Sequence, residues 1–238
     1  MRLPYGLEIV DHCVACRQRQ GLLFCSLSDE AMEAFETLIH PAVYPKGAML
    51  FVEGQSPRGT FVLCSGRVKL STGSRDGKTL IMQIAEAGEM LGLSATLSGE
   101  PYEVTAETLD PCQINFIKRE DFLQFVSTHQ EACLRVAQLL SNSYHSAYEQ
   151  IRSLALSNSC AERLARLLLD WSHRGEATKQ GIRLRLGVTH EEIAQMIGTS
   201  RETVTRLFGE LKTRQVISLK GANLLICDKS ALETLIAG

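Results

Sequence analysis

The chain has 238 residues, of which 45% are hydrophobic and 22% charged, fractions that are ordinary for a globular protein. No stretch approaches the ~20 consecutive apolar residues that cross a bilayer, which excludes a transmembrane helix. Residues 1–12 contain Glu8 and Asp11 and no apolar run, so we expect no secretory signal and a cytoplasmic location. The net charge of −2 by itself points to no class of partner.

Charge is distributed unevenly along the chain. Residues 160–238 contain 12 lysines and arginines against 9 acidic residues, a net charge of +3, whereas residues 1–159 carry −5. An acidic front joined to a mildly basic back indicates two parts with different tasks.

Eight cysteines are an unusually high number for such a chain. Three of them, Cys13, Cys16 and Cys25, lie close together near the N-terminus. The others are scattered, at Cys64, Cys112, Cys133, Cys160 and Cys227. Without an export signal, cysteines indicate metal binding or catalysis more than a disulfide framework.

Short apolar runs separated by glycines fill residues 42–118. Short strands at regular spacing with turn residues between them are typical of a β-sandwich or barrel. Arg75-Asp76-Gly77-Lys78 is predicted to form a hairpin tip, because Asp-Gly tolerates the positive φ of such turns.

Residues 119–157 contain neither glycine nor proline and are predicted to form one long helix. Two partly apolar seams run along it, so we expect it to pack on its own domain and on a second copy. The first seam is Leu134, Ala137, Ser141, Tyr144, Tyr148, Ile151 and Ala155, and the second is Val136, Leu140, Ser143, Ala147, Gln150 and Leu154. A further amphipathic helix is predicted over residues 160–172.

The strongest local pattern lies between Thr189 and Gln215 and predicts a helix-turn-helix. Thr189 followed by Glu192 forms a capping box at a helix start, and Gly198 supplies the left-handed residue that ends that helix. Ser200 then caps a second helix. Caps, turn and spacing together favour DNA binding over an ordinary helical hairpin.

The outward residues at the start of the second helix are candidates for DNA contact: Ser200, Arg201, Glu202, Thr203, Thr205 and Arg206. That end of a recognition helix enters the major groove, where arginine binds guanine and glutamate accepts from cytosine. Thr189, Ser200 and Thr203 suit phosphate contacts. Residues 216–226 are predicted to form a hairpin wing from which Lys220 reaches a phosphate.

Five segments of the chain resemble the CRP/FNR family of bacterial transcription regulators: Lys46-Gly47, Leu50–Gly54, Ser65–Leu70, Gly88–Gly92 and Ser200–Arg206. The resemblance implies an α+β fold with a sensory β-roll (a jelly-roll, or double-stranded β-helix), a long dimerisation helix and a C-terminal winged helix-turn-helix. It implies a homodimer on a two-fold symmetric DNA site, with RNA polymerase as a further partner. The domains it implies are a cysteine segment, the roll, the dimerisation helix and the DNA-binding domain, at residues 1–28, 29–118, 119–157 and 158–238.

The cyclic-AMP branch of this family follows its Gly-Glu-x-x-Gly turn with a ribose-binding glutamate and later has an arginine for the phosphate. Here Leu93 follows Gly92, and Glu100-Pro101 lies near the arginine position. A carboxylate repels the phosphate that the arginine would bind, so a cyclic nucleotide is not expected as the effector.

The cysteines are similar to those of the oxygen-sensing FNR branch, which binds a [4Fe–4S] cluster with three N-terminal cysteines and one from the roll. The resemblance implies that Cys13, Cys16, Cys25 and Cys112 are the ligands, and thiolates suit such clusters. Zinc, a dithiol switch and a pocket for another small effector are the alternatives. We expect the other four cysteines to fill space as small hydrophobes.

The DNA-reading residues are closer to the cyclic-AMP branch, whose half-site contains GTGA. We therefore predict a palindrome of TGTGA-like half-sites, with Arg201 and Arg206 on guanines and Glu202 on a cytosine. The sequence contains no Gly-rich phosphate loop, no His-Glu-x-x-His and no nucleophile elbow, so we expect no enzymatic activity.

Overall fold

The computed structural model describes residues 5, 7, 12–16, 19 and 22–237. Glu8 and Asp11, which entered the argument against a secretory signal, lie outside the described residues. The chain separates into two compact units, Met1–Ser146 and Ala147–Gly238. In the described part of the chain, no helix is both long enough and apolar enough to span a bilayer.

Two four-stranded antiparallel sheets form the β-roll of the first unit, which confirms the predicted fold class. The first sheet has the order β1-β8-β3-β6, with β1 at His40–Tyr44, β3 at Gly59–Ser65, β6 at Met90–Leu91 and β8 at Cys112–Lys118. The second has the order β2-β7-β4-β5, with β2 at Met49–Phe51, β4 at Val68–Gly73, β5 at Thr79–Ala85 and β7 at Thr105–Thr108. The predicted hairpin tip joins β4 to β5, with Gly77 at φ 77°.

Side chains alternate between the two sides of the sheet along β8 and along β3 as far as Leu63, because successive residues of a strand face opposite sides. Leu63 pairs with Ile114, and both are fully buried inside the roll. Val62 pairs with Asn115 and faces the other way. We call these the inner and outer faces of the first sheet.

Helices cover the outer face. Helix α1, Asp29–Glu36, and helix α3, Arg119–Thr128, place Phe35 and Phe122 in one buried cluster with Phe24. The rings of Phe24 and Phe35 meet edge to face, with centroids 5.1 Å apart. Phe24 therefore anchors the chain before α1 to the outer face of the sheet. A short helix, α2 at Leu93–Ser98, follows β6.

The predicted single helix over residues 119–157 is wrong, because the structure breaks it at His129. Helix α3 ends at Thr128, His129 is extended with φ −116° and ψ 97°, and α4 spans Gln130–Leu156. The Thr128 hydroxyl donates to the carbonyls of Gln124 and Phe125, and this local bonding competes with helix continuation. A helix can therefore end without glycine or proline.

Helix α4 is about 40 Å long at ~1.5 Å per residue. Its first turns bury Ala132 and Val136, the latter from the second predicted seam, against the outer-face cluster. The first predicted seam is exposed, with Leu134 and Ile151 each at 60%. An exposed apolar stripe on a long helix is typical of an interface with a second copy.

The second unit packs four helices and a small antiparallel sheet around one core. Helix α5, Cys160–Ser172, confirms the predicted amphipathic helix and is capped by Ser159. The sheet has the order β11-β12-β10-β9, with β9 at Glu176–Thr178, β10 at Gly181–Arg185, β11 at Ile217–Lys220 and β12 at Asn223–Ile226. The wing hairpin is confirmed as β11–β12, whereas β9, β10 and the final helix α8, Lys229–Ala237, were not predicted.

The helix-turn-helix is confirmed as α6, His190–Ile197, followed by α7, Arg201–Thr213. Thr189 and Glu192 form the predicted capping box, and Ser200 caps α7 by accepting from the Thr203 amide. Gly198 ends α6 at φ 63° and ψ 50°, a left-handed conformation that favours glycine.

Two glycine-to-alanine substitutions in this unit should have opposite effects on stability. Gly198→Ala should lower the free energy of unfolding by about 1–2 kcal/mol, because alanine is strained at φ 63° and its Cβ would lie 3.3 Å from Leu154. Gly209→Ala should raise it by about 0.5–1 kcal/mol, because Gly209 is mid-helix with open space around it. Urea unfolding followed by circular dichroism measures both, and stabilisation by Gly198→Ala would contradict the turn geometry.

Candidate functional site

A cavity lies on the outer face of the first sheet. Four cysteines line it together with five apolar residues and one asparagine. The lining residues are Cys13, Cys16, Leu22, Cys25, Met32, Phe35, Val62, Leu63, Cys64 and Asn115. We call it the thiol cavity. The structure thus brings together the three predicted N-terminal ligands Cys13, Cys16 and Cys25.

Arg19 shapes the chain that carries these three cysteines. Its guanidinium donates to the carbonyl oxygens of Cys25 and Leu27 and forms an ion pair of 2.6 Å with Asp29. The Arg19 side chain is only 15% exposed, so its bonds to the two carbonyl oxygens form where water competes weakly, whereas Asp29 is 76% exposed. Through these contacts, Arg19 holds the cysteine segment close to the start of α1.

Glu36, at the end of α1, holds the beginning of the same segment. Its carboxylate accepts from the backbone amides of Cys13 and Val14, at 3.1 and 3.5 Å, and from the His12 ring at 2.7 Å. The His12 bond is the main cause that lowers the pKa of the Glu36 carboxyl. Cys13 is thereby held beside the helix end.

Cys64 reaches the thiol cavity from the sheet through a bulge in β3. The register between β3 and β8 shifts between Leu63 and Ser65, which leaves Cys64 as the extra residue. Cys64 is half-buried and packs against the outer-face cluster. The expectation that Cys64 only fills space is therefore incomplete, because its side chain lines the cavity with the three N-terminal thiols.

Asn115, on β8, is the one amide at the thiol cavity among the described lining residues. It is 2% exposed, and its amide nitrogen lies 3.8 Å from the Cys13 sulfur. Its carbonyl oxygen Oδ1 is buried and makes no hydrogen bond to any described residue. Such a buried, unsatisfied acceptor costs about 1–3 kcal/mol.

Burial favours the protonated thiol at Cys13, Cys25 and Cys64. It raises the pKa of Cys13 and of Cys64 to about 12, and that of Cys25 to about 11. Mutual repulsion among the thiolates adds to the effect. A positive charge in the cavity would favour deprotonation of these three thiols.

Cys112, the fourth predicted ligand, lies on the other side of the sheet. It is fully buried within the roll, and its sulfur lies 3.4 and 3.1 Å from the carbonyl oxygens of Arg67 and Asp110. The structure does not bring it to the thiol cavity. In the described part of the chain, no three Cys, His, Asp or Glu side chains have the spacing of ligands to one metal ion.

The remaining cysteines do not share the cavity. Cys133 and Cys227 are exposed, which is contrary to the expectation that they are buried hydrophobes, and Cys160 is half-buried at the start of α5. Sequence reasoning missed Cys64 and Asn115 as cavity residues. Strand parity could have shown that Asn115 and Cys112 face opposite sides of the sheet, because they lie three residues apart in one strand.

The Gly-Glu-x-x-Gly turn lies between β5 and α2. Glu89 accepts from the Glu86 amide at 2.9 Å and from the Gln83 side chain, so its carboxylate bonds within the turn. Leu93, at the position of the ribose-binding glutamate, is 6% exposed. Glu100 is exposed. Neither residue is a cation for a cyclic phosphate.

The predicted DNA-contact residues lie together at the start of α7. Arg201, Glu202, Thr205 and Arg206 are exposed, as are the caps Thr189 and Ser200, while Thr203 is half-buried. The opposite side of α7 packs Val204, Leu207, Phe208 and Leu211 into the core. This arrangement leaves the polar side of the helix available to a groove of DNA.

Local contacts hold two of these side chains in place. The Arg206 guanidinium pairs with Glu210 at 2.5 Å, and the Thr205 hydroxyl bonds the His190 ring at 3.0 Å. Lys220 is exposed beside the two-residue wing turn, where Gly221 has φ 60°. The tip of the wing is therefore polar and carries a cation.

Alkylation of the metal-free chain should separate its cysteines by accessibility and pKa. At about pH 8 the exposed Cys133 and Cys227 should react with iodoacetamide first. Cys64 should react much more slowly than either, with a rate that rises about tenfold per pH unit, because its raised pKa leaves almost no thiolate. Peptide mass spectrometry measures each rate, and Cys64 reacting as fast as Cys133 would contradict its placement in the cavity.

Two domain families match most of the chain. Residues 41–129 match the cyclic nucleotide-binding domain, and residues 162–235 match the Crp-like helix-turn-helix domain. Curated relatives resemble it over nearly its whole length. The chain is 26% identical over 212 residues to the CRP-like cAMP-activated global transcriptional regulator of Mycobacterium tuberculosis, covering 88% of this chain and 94% of that protein.

Solved structures share the fold. FixK2 from Bradyrhizobium japonicum matches 84% of this chain and 98% of its own, with a TM-score of 0.74 at 19% identity. A CooA mutant from Carboxydothermus hydrogenoformans matches 84% of this chain and 88% of its own, with a TM-score of 0.74 at 24% identity. Members of this family are regulators rather than enzymes. With its two domain matches and full-length relatives, the chain belongs to the CRP/FNR family of DNA-binding transcription regulators.

Proposed function

We propose that DNA binding by this regulator responds to oxygen or redox state through a metal centre held by its N-terminal cysteines. The observation that carries the proposal is the convergence of Cys13, Cys16 and Cys25 on one cavity at the outer face of the sensory roll. Three thiols from one short segment are a donor set for an iron–sulfur cluster, and a [4Fe–4S] cluster takes a fourth thiolate from elsewhere in the chain.

The cavity residues fit such a group by their chemistry. Soft thiolates select iron–sulfur clusters or zinc over hard cations, and positive charge would favour deprotonation of the buried thiols here. When bound, the cluster supplies sensitivity to oxygen and to redox potential. Because the described thiols are not at the spacing of ligands to one metal ion, binding requires their relative positions to change.

The cysteine segment is in direct contact with the roll and with the helix that covers it. Leu22 packs against Gly88 of the Gly-Glu-x-x-Gly turn so closely that a Cβ at Gly88 would overlap it. Arg19 and Glu36 tie the same segment to both ends of α1. A change at the cysteines therefore shifts both the turn and the helix that cover the outer face of the sheet.

The effector proposed here differs from that of the relatives named as cAMP-activated. Leu93 is buried where the cyclic-AMP branch has its glutamate, and Glu100 adds negative charge where that branch has its arginine. In place of nucleotide anchors, the chain has a group of thiols outside the roll.

Family regulators work as dimers, and we assign the interface to the exposed stripe of α4 that includes Leu134 and Ile151. Dimerisation places two recognition helices about 34–36 Å apart, one turn of DNA. Arg201 and Arg206 then bind guanines and Glu202 a cytosine, while cap residues and Lys220 contact phosphates. RNA polymerase is the partner through which such a regulator acts.

The first test concerns the DNA sequence. Selection from random duplexes should recover palindromes of TGTGA-like half-sites, because the exposed side chains at the start of α7 have the donors and acceptor for G and C. Recovery of TTGAT half-sites would contradict the assignment.

A matched pair of variants tests the base contact itself. Arg201→Ala should weaken binding to the selected duplex by about 1–3 kcal/mol and relax the preference for its guanine. Arg214→Ala removes the same charge from the exposed far end of α7 and should act weakly and without regard to sequence. Equal effects of the two variants on specific and non-specific DNA would overturn the role of Arg201.

The second test concerns the metal centre. Protein purified without oxygen should be coloured and contain iron and sulfide, and exposure to air should remove the visible absorbance and weaken binding to the selected duplex. Iron and sulfide analysis with a visible spectrum measures this. A colourless, iron-free chain prepared without oxygen would refute the cluster. Zinc in its place would favour a structural thiolate site, and a reversible disulfide would favour a dithiol switch.

A further inference from the structure

We propose that Cys64, and not Cys112, is the fourth thiol of the metal centre, and that Asn115 is its neighbouring hydrogen-bonding residue. The inference rests on the proposed function, because it assigns ligands within that site. Cys64 lines the same cavity as Cys13, Cys16 and Cys25, whereas Cys112 does not.

Strand parity separates the two candidates. Cys112 and Ile114 are on the inner face of β8, and Asn115 is on its outer face. Cys112 pairs with Tyr44 on the neighbouring strand. A one-residue slip of the pairing would turn every side chain of β8 to the opposite face, including the fully buried Ile114 and Ile117. Turning Cys112 alone would break its pairing with Tyr44 at the start of β8.

The inner position of Cys112 is also fully packed. Gly66, at φ 87°, passes so close that a Cβ there would overlap the Cys112 sulfur. The Cys112 thiol also lies within hydrogen-bonding distance of the carbonyl oxygens of Arg67 and Asp110. A cluster ligated by Cys112 would therefore need space inside the roll that backbone already occupies.

Cys64 has none of these obstacles. The bulge in β3 leaves it out of the pairing with β8, so it can adjust its position without breaking the register on either side. It is half-buried at the cavity, as are the three N-terminal cysteines. Three ligands thus come from an irregular segment and one from a bulge on a fixed sheet.

Asn115 provides an independent indication that the cavity takes a ligand. Its buried Oδ1 has no hydrogen-bond partner among the described residues, and its side chain lines the cavity. A hydrogen-bond donor that enters the cavity would satisfy that oxygen. Its amide nitrogen, 3.8 Å from the Cys13 sulfur, can donate to a ligating thiolate, as outer residues of metal sites commonly do.

The decisive comparison uses four variants of the full chain, each purified without oxygen: Cys64→Ser, Cys112→Ser, Cys133→Ser and Asn115→Leu. Cys64→Ser should lose the iron, sulfide and visible absorbance, while Cys112→Ser should keep them. Cys133→Ser makes the same chemical change at an exposed cysteine and should match the unaltered chain. Asn115→Leu keeps the side-chain size and should lower cluster affinity by about 10–100-fold.

The outcomes separate the inference from the function on which it rests. Loss of the cluster in Cys112→Ser, with or without loss in Cys64→Ser, would overturn the assignment and leave the iron–sulfur function standing. Retention of a full cluster in Cys64→Ser would overturn it too. An iron-free unaltered chain would overturn both.

A labelling experiment on the unaltered chain guards against misfolded variants. Cysteine alkylation is compared at about pH 10, without oxygen, between the metal-free and the iron–sulfur reconstituted protein. Reconstitution should slow the labelling of Cys64 about as strongly as that of Cys13, Cys16 and Cys25, and leave Cys112 unchanged. Protection of Cys112 with no protection of Cys64 would overturn the inference.

Discussion

The two-residue period of a β-strand is the constraint on which the sensory part of this protein depends. Leu63 and Ile114 fill the inside of the roll, and their neighbours Val62 and Asn115 must then face the opposite side of the sheet. The outer face then needs its own cover, which α1, α3 and the cysteine segment provide. One geometric rule thus creates both the core that closes the roll and the cavity beside it.

The DNA-reading part depends on a different constraint, the unpaired backbone groups at helix ends. Thr189 and Ser200 satisfy amides at the starts of α6 and α7, and Gly198 allows the left-handed turn between them. Since these caps fix where α7 begins, they also fix which side chains are at its exposed end. The position of Arg201 at the exposed end of α7 therefore depends on the cap that Ser200 provides.

This difference decides what could be predicted from the sequence. Caps and turns are local, so the helix-turn-helix and the hairpin tip at Gly77 followed from a few adjacent residues. The spacing of the N-terminal cysteines was equally local. Cys64 was missed because its position depends on a bulge and on the register between distant strands. The end of α3 was missed because the chain leaves the helical conformation at His129 with neither glycine nor proline at the break.

The break at His129 gives this region a bend that one continuous helix would lack. Phe122 and Phe125 pack α3 against the roll, and α4 starts after one extended residue, His129. The His129 ring stacks on Phe125 with centroids 4.4 Å apart, so this joint is itself packed. The direction in which α4 starts is fixed by the torsions of His129 together with the burial of Ala132 and Val136 in the same cluster, so the joint is a packed bend and not a continuation of α3.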